Sequence, residues 1–222
     1  MLCTFTNKFF SLHPWFELLV MSDIKKLSFN KFSALLDRLG LIYADMDEKY
    51  NQAAGFYGFA CAGCRENCCL TRFYHHTLLE YLYIRKGFSR LSSNIRSDAE
   101  RKATDVVRLT LEAEKNKKTA RVMCPLNLDG LCLIYHFRPM ICRLHGIPHE
   151  LHTPRRDITR SPGCNEFAKL FGAEKYYKFD RTPFYLKMAG LEKEVRQAAG
   201  ITHKIKMTIA EMIVEPKAYE KY

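Results

Sequence analysis

Eight of the nine cysteines in this chain form a pattern: Cys61, Cys64, Cys68 and Cys69 fall within nine residues, and Cys124, Cys132, Cys142 and Cys164 follow at wider intervals. A thiolate is a soft ligand for zinc, iron and copper(I), so grouped thiols in reducing surroundings point to a metal centre. Such a centre constrains the fold strongly, because it ties several distant loop segments to one place. Cys3 stands outside the pattern and reads as incidental.

The alternative for many cysteines is a disulfide framework, which belongs to small exported domains that cannot build a core. This chain has 222 residues of which 47% are apolar, enough for a core of its own. Reduced thiols and a cytoplasmic location are therefore expected. The opening MLCTFTNKFFSLHPWFELLV is interrupted by His13, Pro14 and Glu17 and lacks a small-residue cleavage site, so it does not read as a secretion signal. Residues 1–21 read as an N-terminal arm or an over-extended start, with Met21 opening a more conventional beginning. Residues 22–222 read as one cysteine-cluster domain. No run of about eighteen apolar residues is present, so no membrane helix is expected.

The formal charge is +11. Two divalent ions on eight thiolates would lower it by about 4, to roughly +7. That balance permits an acidic protein or nucleic acid as partner and bears on association, not on fold.

Phe29, Phe32, Leu35, Leu36, Leu39, Ile42, Tyr43, Met46 and Tyr50 recur at helical spacing and predict a helix running to about Gly55. A second helix is predicted from Thr77 to Gly87, its C-terminal cap, and a third, charged helix from a capping box at Ser97–Glu100 through Val106, Val107, Leu109 and Leu111 to Lys115. Asp129-Gly130 between apolar runs predicts a hairpin carrying Cys124 and Cys132 on its arms. Arg138 to Arg143 suits a short helix, and residues 146–163 read as a polar loop. Thr182 to Gly200 and Thr202 to Ile213 predict the C-terminal helices, spanning 182–213. The expected class is mainly α with a minor β component: a helical domain with a small β-hairpin and a loop-rich cysteine region.

Cys61-x2-Cys64 is a spacing at which two sulfurs of one turn grip one ion. The adjacent Cys68 and Cys69 share too short a backbone to chelate one ion comfortably, so one of them is expected to diverge. The eight thiols can serve two four-thiolate sites, or one four-cysteine iron–sulfur cluster with four thiols to spare. Histidines replace thiolates in many zinc sites, and His75, His76, His136 and His145 lie near the cysteines, His145 one helical turn beyond Cys142. Arg138 and Arg143 are placed to offset thiolate charge.

Cys61-x2-Cys64-x3-Cys68-Cys69, Cys124-Pro125-Leu126 leading to Cys132-Leu133-Ile134-Tyr135, and Arg138-Pro139-x2-Cys142-Arg143 together resemble the YkgJ-like, or CxxCxxCC, family of zinc- or iron-chelating domains. The resemblance covers roughly residues 55–170, and this chain has one more residue before the double cysteine than the family pattern. It implies a bacterial cytosolic protein holding zinc or iron, and most such proteins have no assigned reaction. A flagellin lysine methylase is similar in its cysteine cluster, but no methyl-donor motif is evident here.

The expectation is a metal-binding protein in which Cys61, Cys64, Cys68, Cys69, Cys124, Cys132, Cys142 and Cys164 hold zinc or iron, the latter including a 4Fe-4S cluster. An iron–sulfur oxidoreductase or protein-modifying enzyme is the first alternative. A zinc-stabilised module for nucleic acid or protein is the second, drawing on the basic and aromatic run Lys175–Arg181. No nucleotide loop, HExxH helix or Ser-His-Asp order is present to assign a hydrolase or kinase.

Overall fold

The computed structural model describes residues 24, 26–60, 68–171 and 176–214. The expected N-terminal arm, the Met21 start, Cys61 and Cys64 lie outside the described residues. The architecture is mainly helical with two small antiparallel hairpins. Among the described residues no helix is long and apolar enough to cross a membrane.

Helix α1 (Ser33–Tyr57) follows a 3-10 turn at Phe29–Phe32 and buries Leu36, Leu39, Tyr43 and Met46 along one stripe. It runs past the predicted Gly55 and stops at Gly58, whose φ of 67° closes the helix in the left-handed conformation. Helix α2 (Leu78–Phe88) is nucleated by Thr77, whose side chain accepts from Glu80 N. Its end departs from expectation. Gly87 is not the cap but sits inside the last turn, where an added Cβ would lie 2.5 Å from both Cβ and Cγ of Phe137. Close approach explains this glycine.

Gly87→Ala is accordingly expected to cost about 1–3 kcal/mol, the range for overpacking a closed contact. A urea titration reads it directly, and a midpoint equal to wild type would show that the Tyr135–Phe137 turn can withdraw freely.

Helix α3 (Ser93–Lys115) begins four residues before the predicted capping box, so Ser97–Glu100 lies within it. Asp98 there pairs with Arg101 and Lys102, an i to i+3 and i to i+4 arrangement that serves a helix surface as well as a start. Val107 is buried, whereas Leu109 and Leu111 are exposed, because the buried face is carried by Ala99, Ala103 and Val107.

Strands β1 (Asn127–Leu128) and β2 (Leu131–Cys132) form the predicted hairpin, pairing Asn127 with Cys132 and Leu128 with Leu131. Asp129 and Gly130 both have positive φ, 51° and 86°, as a tight two-residue hairpin requires. Helix α4 (Met140–Leu144) follows Pro139. The predicted loop at 146–163 instead contains a second hairpin, β3 (His149–Leu151) with β4 (Thr159–Ser161), joined through a turn in which Arg155 takes φ of 60°. Helices α5 (Asn165–Leu170) and α6 (Thr182–Ala199) come next, the latter with Pro183 in its first turn and Gly200 as its cap.

The last predicted helix is much shorter than expected. Only α7 (Ile209–Ile213) is helical, started by a complete capping box between Thr208 and Glu211. Residues just ahead of it are extended, with Met207 bridging to His75 through two backbone hydrogen bonds of 2.8 and 3.0 Å.

Helices α1, α2 and α6 pack on one another, α7 sits against α3 and α2, and α4 lies on α1. The helices thus form a base from which Cys68–Leu70, the first hairpin and α4 project the thiols towards one another.

Candidate metal centre

Four chain segments bring thiols to a common cavity of about 570 Å³. Cys68 and Cys69 come from a single 3-10 turn, Cys124 from the approach to the first hairpin, Cys132 from β2 and Cys142 from α4. Cys124 N donates to Cys69 O at 2.8 Å, which fixes the first segment to the second. Cys124 O then accepts from Asn127 N at 2.9 Å and turns the chain into β1. Cys124 therefore stands just ahead of the paired arm, not on it, while Cys132 lies within its arm as predicted.

The thiols act on one another electrostatically. The Cys69 thiol is held well below its usual range by hydrogen bonds, first from Cys124 and then from Cys68. Cys124 moves the other way, raised by the same bond to Cys69 and by burial. The two shifts oppose one another because each sulfur acts on the other. Burial raises Cys142, with Cys132 and Cys69 adding to it, and burial likewise raises Cys132. Arg138 opposes the rise at both, as a guanidinium beside a thiolate should.

Among the described residues, however, no group of three or more Cys, His, Asp or Glu side chains is arranged to hold one ion. The donor set has the soft chemistry and the cationic neighbours that a thiolate metal site uses, but the described sulfurs do not converge on a single point as the ligands of one ion would. Of the eight predicted ligands, Cys68, Cys69, Cys124, Cys132 and Cys142 share the cavity wall. Cys164 does not line it. Its sulfur accepts from Phe167 N at 3.4 Å and caps α5, while its own N–H reaches Gly146 O at 2.9 Å.

Of the four candidate histidines, His75, His136 and His145 line the cavity, and His76 instead faces Ile205 O at 3.3 Å. His75 is buried with Nδ1 4.0 Å from Glu80 Oε2 and with no hydrogen-bond partner at Nε2. Glu80 is the residue that sequence reading missed. Thr77-x-x-Glu80 is legible as a helix cap, but the buried carboxylate also accepts from Met140 N at 2.9 Å and so holds the start of the helix that carries Cys142.

Arg143 is buried and makes three bonds: Nε donates to Arg138 O at 2.8 Å, Nη1 pairs with Asp47, and Nη2 donates to His136 O. Its guanidinium also lies over the Tyr43 ring, 4.3 Å from the centroid. The predicted role of offsetting thiolate charge is thus joined by a clear structural one. In the basic and aromatic run, Phe179 and Arg181 are buried and Tyr177 N donates to Tyr57 OH, so those groups face the interior. Lys175 lies outside the described residues.

Three histidines near this region resist protonation. Burial holds His75 and His145 below the usual imidazole range, and burial together with the Arg181 charge lowers His149 to about 4. Because the unfolded chain takes up these protons near pH 6.5 and the folded chain does not, the stability they contribute is complete above that pH. It is lost as pH falls from about 6.5 towards about 4. Allowing for partial solvent contact, His149 should account for about 1–2 kcal/mol of this loss. Urea midpoints of metal-free protein at pH 7 and pH 5 measure it; a His149→Leu variant that loses as much as wild type would rule the residue out.

No family model matches this chain. No curated protein and no solved structure matches it either.

Proposed function

We propose that this is a metal-binding protein whose clustered cysteine thiolates hold zinc or an iron–sulfur centre. The observation that carries the reading is the meeting of Cys69, Cys124, Cys132 and Cys142, from four separate segments, on one cavity wall where their thiols influence one another. Buried apolar packing alone gives no reason for thiols from such distant positions to line one cavity. The reading includes Cys61 and Cys64 as further ligands, and the resemblance of the cysteine segments to the YkgJ-like family points the same way. Cys68 and Cys164 belong to the same proposed set, with Cys164 the more distant from the cavity.

The metal would have a structural effect whatever else it does. Ligands drawn from four segments cannot be held by local structure, so binding free energy becomes folding free energy. Zinc would serve there as a redox-inert tie, and an iron–sulfur cluster would add electron transfer. The test is anaerobic purification followed by analysis for zinc, iron and acid-labile sulfide. Stoichiometric zinc without sulfide assigns the first form, and brown protein with iron and sulfide assigns the second. Protein that contains neither metal, and takes up neither after reduction, would refute the reading.

A further inference from the structure

Helices α1 and α6 pack side by side, and among the described residues nothing covers their shared outer face. Two ion pairs frame it: both Nη atoms of Arg38 donate to Glu194, at 2.5 and 2.8 Å, and Lys187 Nζ donates to Asp45 at 2.8 Å. On each helix the two charges are seven residues apart, about two turns, and the numbering rises along one helix as it falls along the other. The helices are therefore antiparallel. The surface within this frame is apolar: Leu41 and Leu186 stand 73% and 69% exposed, over a floor of Ile42 and Leu191. Gly190 lies in the middle of α6, close to the level of Leu41 on α1. An added Cβ there would meet nothing within 4 Å, so no contact among the described residues calls for a glycine, which a helix interior disfavours.

From this face we infer that the protein pairs with a second copy of itself, α1 of each copy lying on α6 of the other about a two-fold axis that runs along the helices. Charge complementarity selects the occupant. The four charges stand at the corners of a rectangle, Arg38 and Lys187 on one diagonal, Glu194 and Asp45 on the other. A two-fold axis along the helices sets Arg38 against the second copy's Glu194 and Asp45 against the second copy's Lys187. An axis along a diagonal would set like charge on like. A patch that matches itself in this way is what an isologous contact requires. A partner of one charge sign, such as nucleic acid, would be repelled at two of the four corners.

Exposed ion pairs add little affinity, so the charges fix the orientation and the apolar centre supplies the attraction. The same axis carries Leu41 of each copy over the second copy's Gly190, offset by about one residue's rise, so that a projecting side chain meets a gap. With 18 residues in α6, the two helices side by side present about 500 Å² per copy and about 1,000 Å² for the pair. That is the lower limit for a specific interface and suits a dimer that forms in the micromolar range. Neither helix carries a cysteine, so the pairing holds with or without a metal.

The test is sedimentation velocity of the full chain in reductant, over a concentration series from nanomolar to high micromolar. Wild type is expected to pass from monomer to dimer. Leu41→Glu and Gly190→Leu are each expected to raise the dissociation constant about tenfold or more, and, because both positions are exposed, to leave the circular dichroism of the monomer unchanged. Arg38→Glu should weaken the dimer several-fold, and Arg38→Glu combined with Glu194→Arg should restore it. Failure of that restoration would overturn the arrangement, since with an axis across the helices position 38 faces the second copy's Asp45 and the double exchange leaves carboxylate on carboxylate. A wild type that stays monomeric at the highest concentration, or a dimer indifferent to Leu41→Glu, would overturn the pairing itself. So would a cross-link from Lys187 to Lys8 within a monomer, which would seat the chain's own first residues on this face.

Discussion

If the cysteines hold a metal as proposed, Cys69→Ser is expected to strip the protein of at least half of that metal and to lower its thermal midpoint by on the order of 10 °C. Cys69 is chosen because it contacts Cys124 and Cys68 and its charge acts on both Cys132 and Cys142. Serine keeps the size and loses the soft donor, so the change tests ligation more than packing. Structural metal sites contribute many kilocalories to small domains, and loss of one ligand of four commonly forfeits a few of them. At about 2–4 °C per kcal/mol for a chain of this size, a drop near ten degrees follows. Chelation of wild type should move the midpoint at least as far. Cys3→Ser supplies the control, since Cys3 lies outside the proposed ligand set. Full metal content and an unshifted transition in Cys69→Ser would remove this thiol from the centre.

The helical frame was readable because its signals are local. The Leu36, Leu39, Tyr43 and Met46 stripe and the Thr77, Pro183 and Gly200 boundaries are each settled by residues within a turn or two. The hairpin at Asp129-Gly130 belongs with them, because positive φ at two successive positions is a demand that few residue pairs meet. What sequence could not supply was pairing across distance. Strands β3 and β4 carry His149, Glu150, Thr159 and Arg160, a polar surface without the apolar alternation that marks a strand. Glu150 is buried there, with His152 and Arg160 bonded to its carboxylate and its backbone paired with Phe179 and Arg181. In the same way Met207 is extended because it pairs with His75, although the stretch from Thr202 has helix-forming residues. The cysteines were legible as a grouped pattern, but the expected divergence of Cys68 from Cys69 does not appear: the two stay in contact in one 3-10 turn and line the same cavity. Which of the later cysteines meet was not legible, since that depends on where the hairpin and α4 land on the helices.

Arg143→Met should destabilise the fold by about 3 kcal/mol, the lower end for breaking a buried ion pair. The lower end applies because Asp47 is 39% exposed and water can take over much of its solvation, whereas Arg143 itself is almost fully buried. The larger part of the loss comes from two carbonyls. Arg138 O and His136 O, both from the turn between β2 and α4, accept from this one guanidinium and would lose that donor. Those bonds fold the chain back so that Cys132 and Cys142, ten residues apart, face one cavity. The substitution should therefore weaken metal retention along with stability, although Arg143 is not a ligand. Arg143→Lys should fail to restore either, because an ammonium cannot present the planar fork that reaches three acceptors on separate sides. Asp47→Asn should cost less than half as much, since it leaves both carbonyl bonds in place. Urea midpoints and metal content of the three variants decide the matter. If Arg143→Met lies within about 0.5 kcal/mol of wild type, the turn is held by its own backbone and the guanidinium is not what sets Cys132 against Cys142.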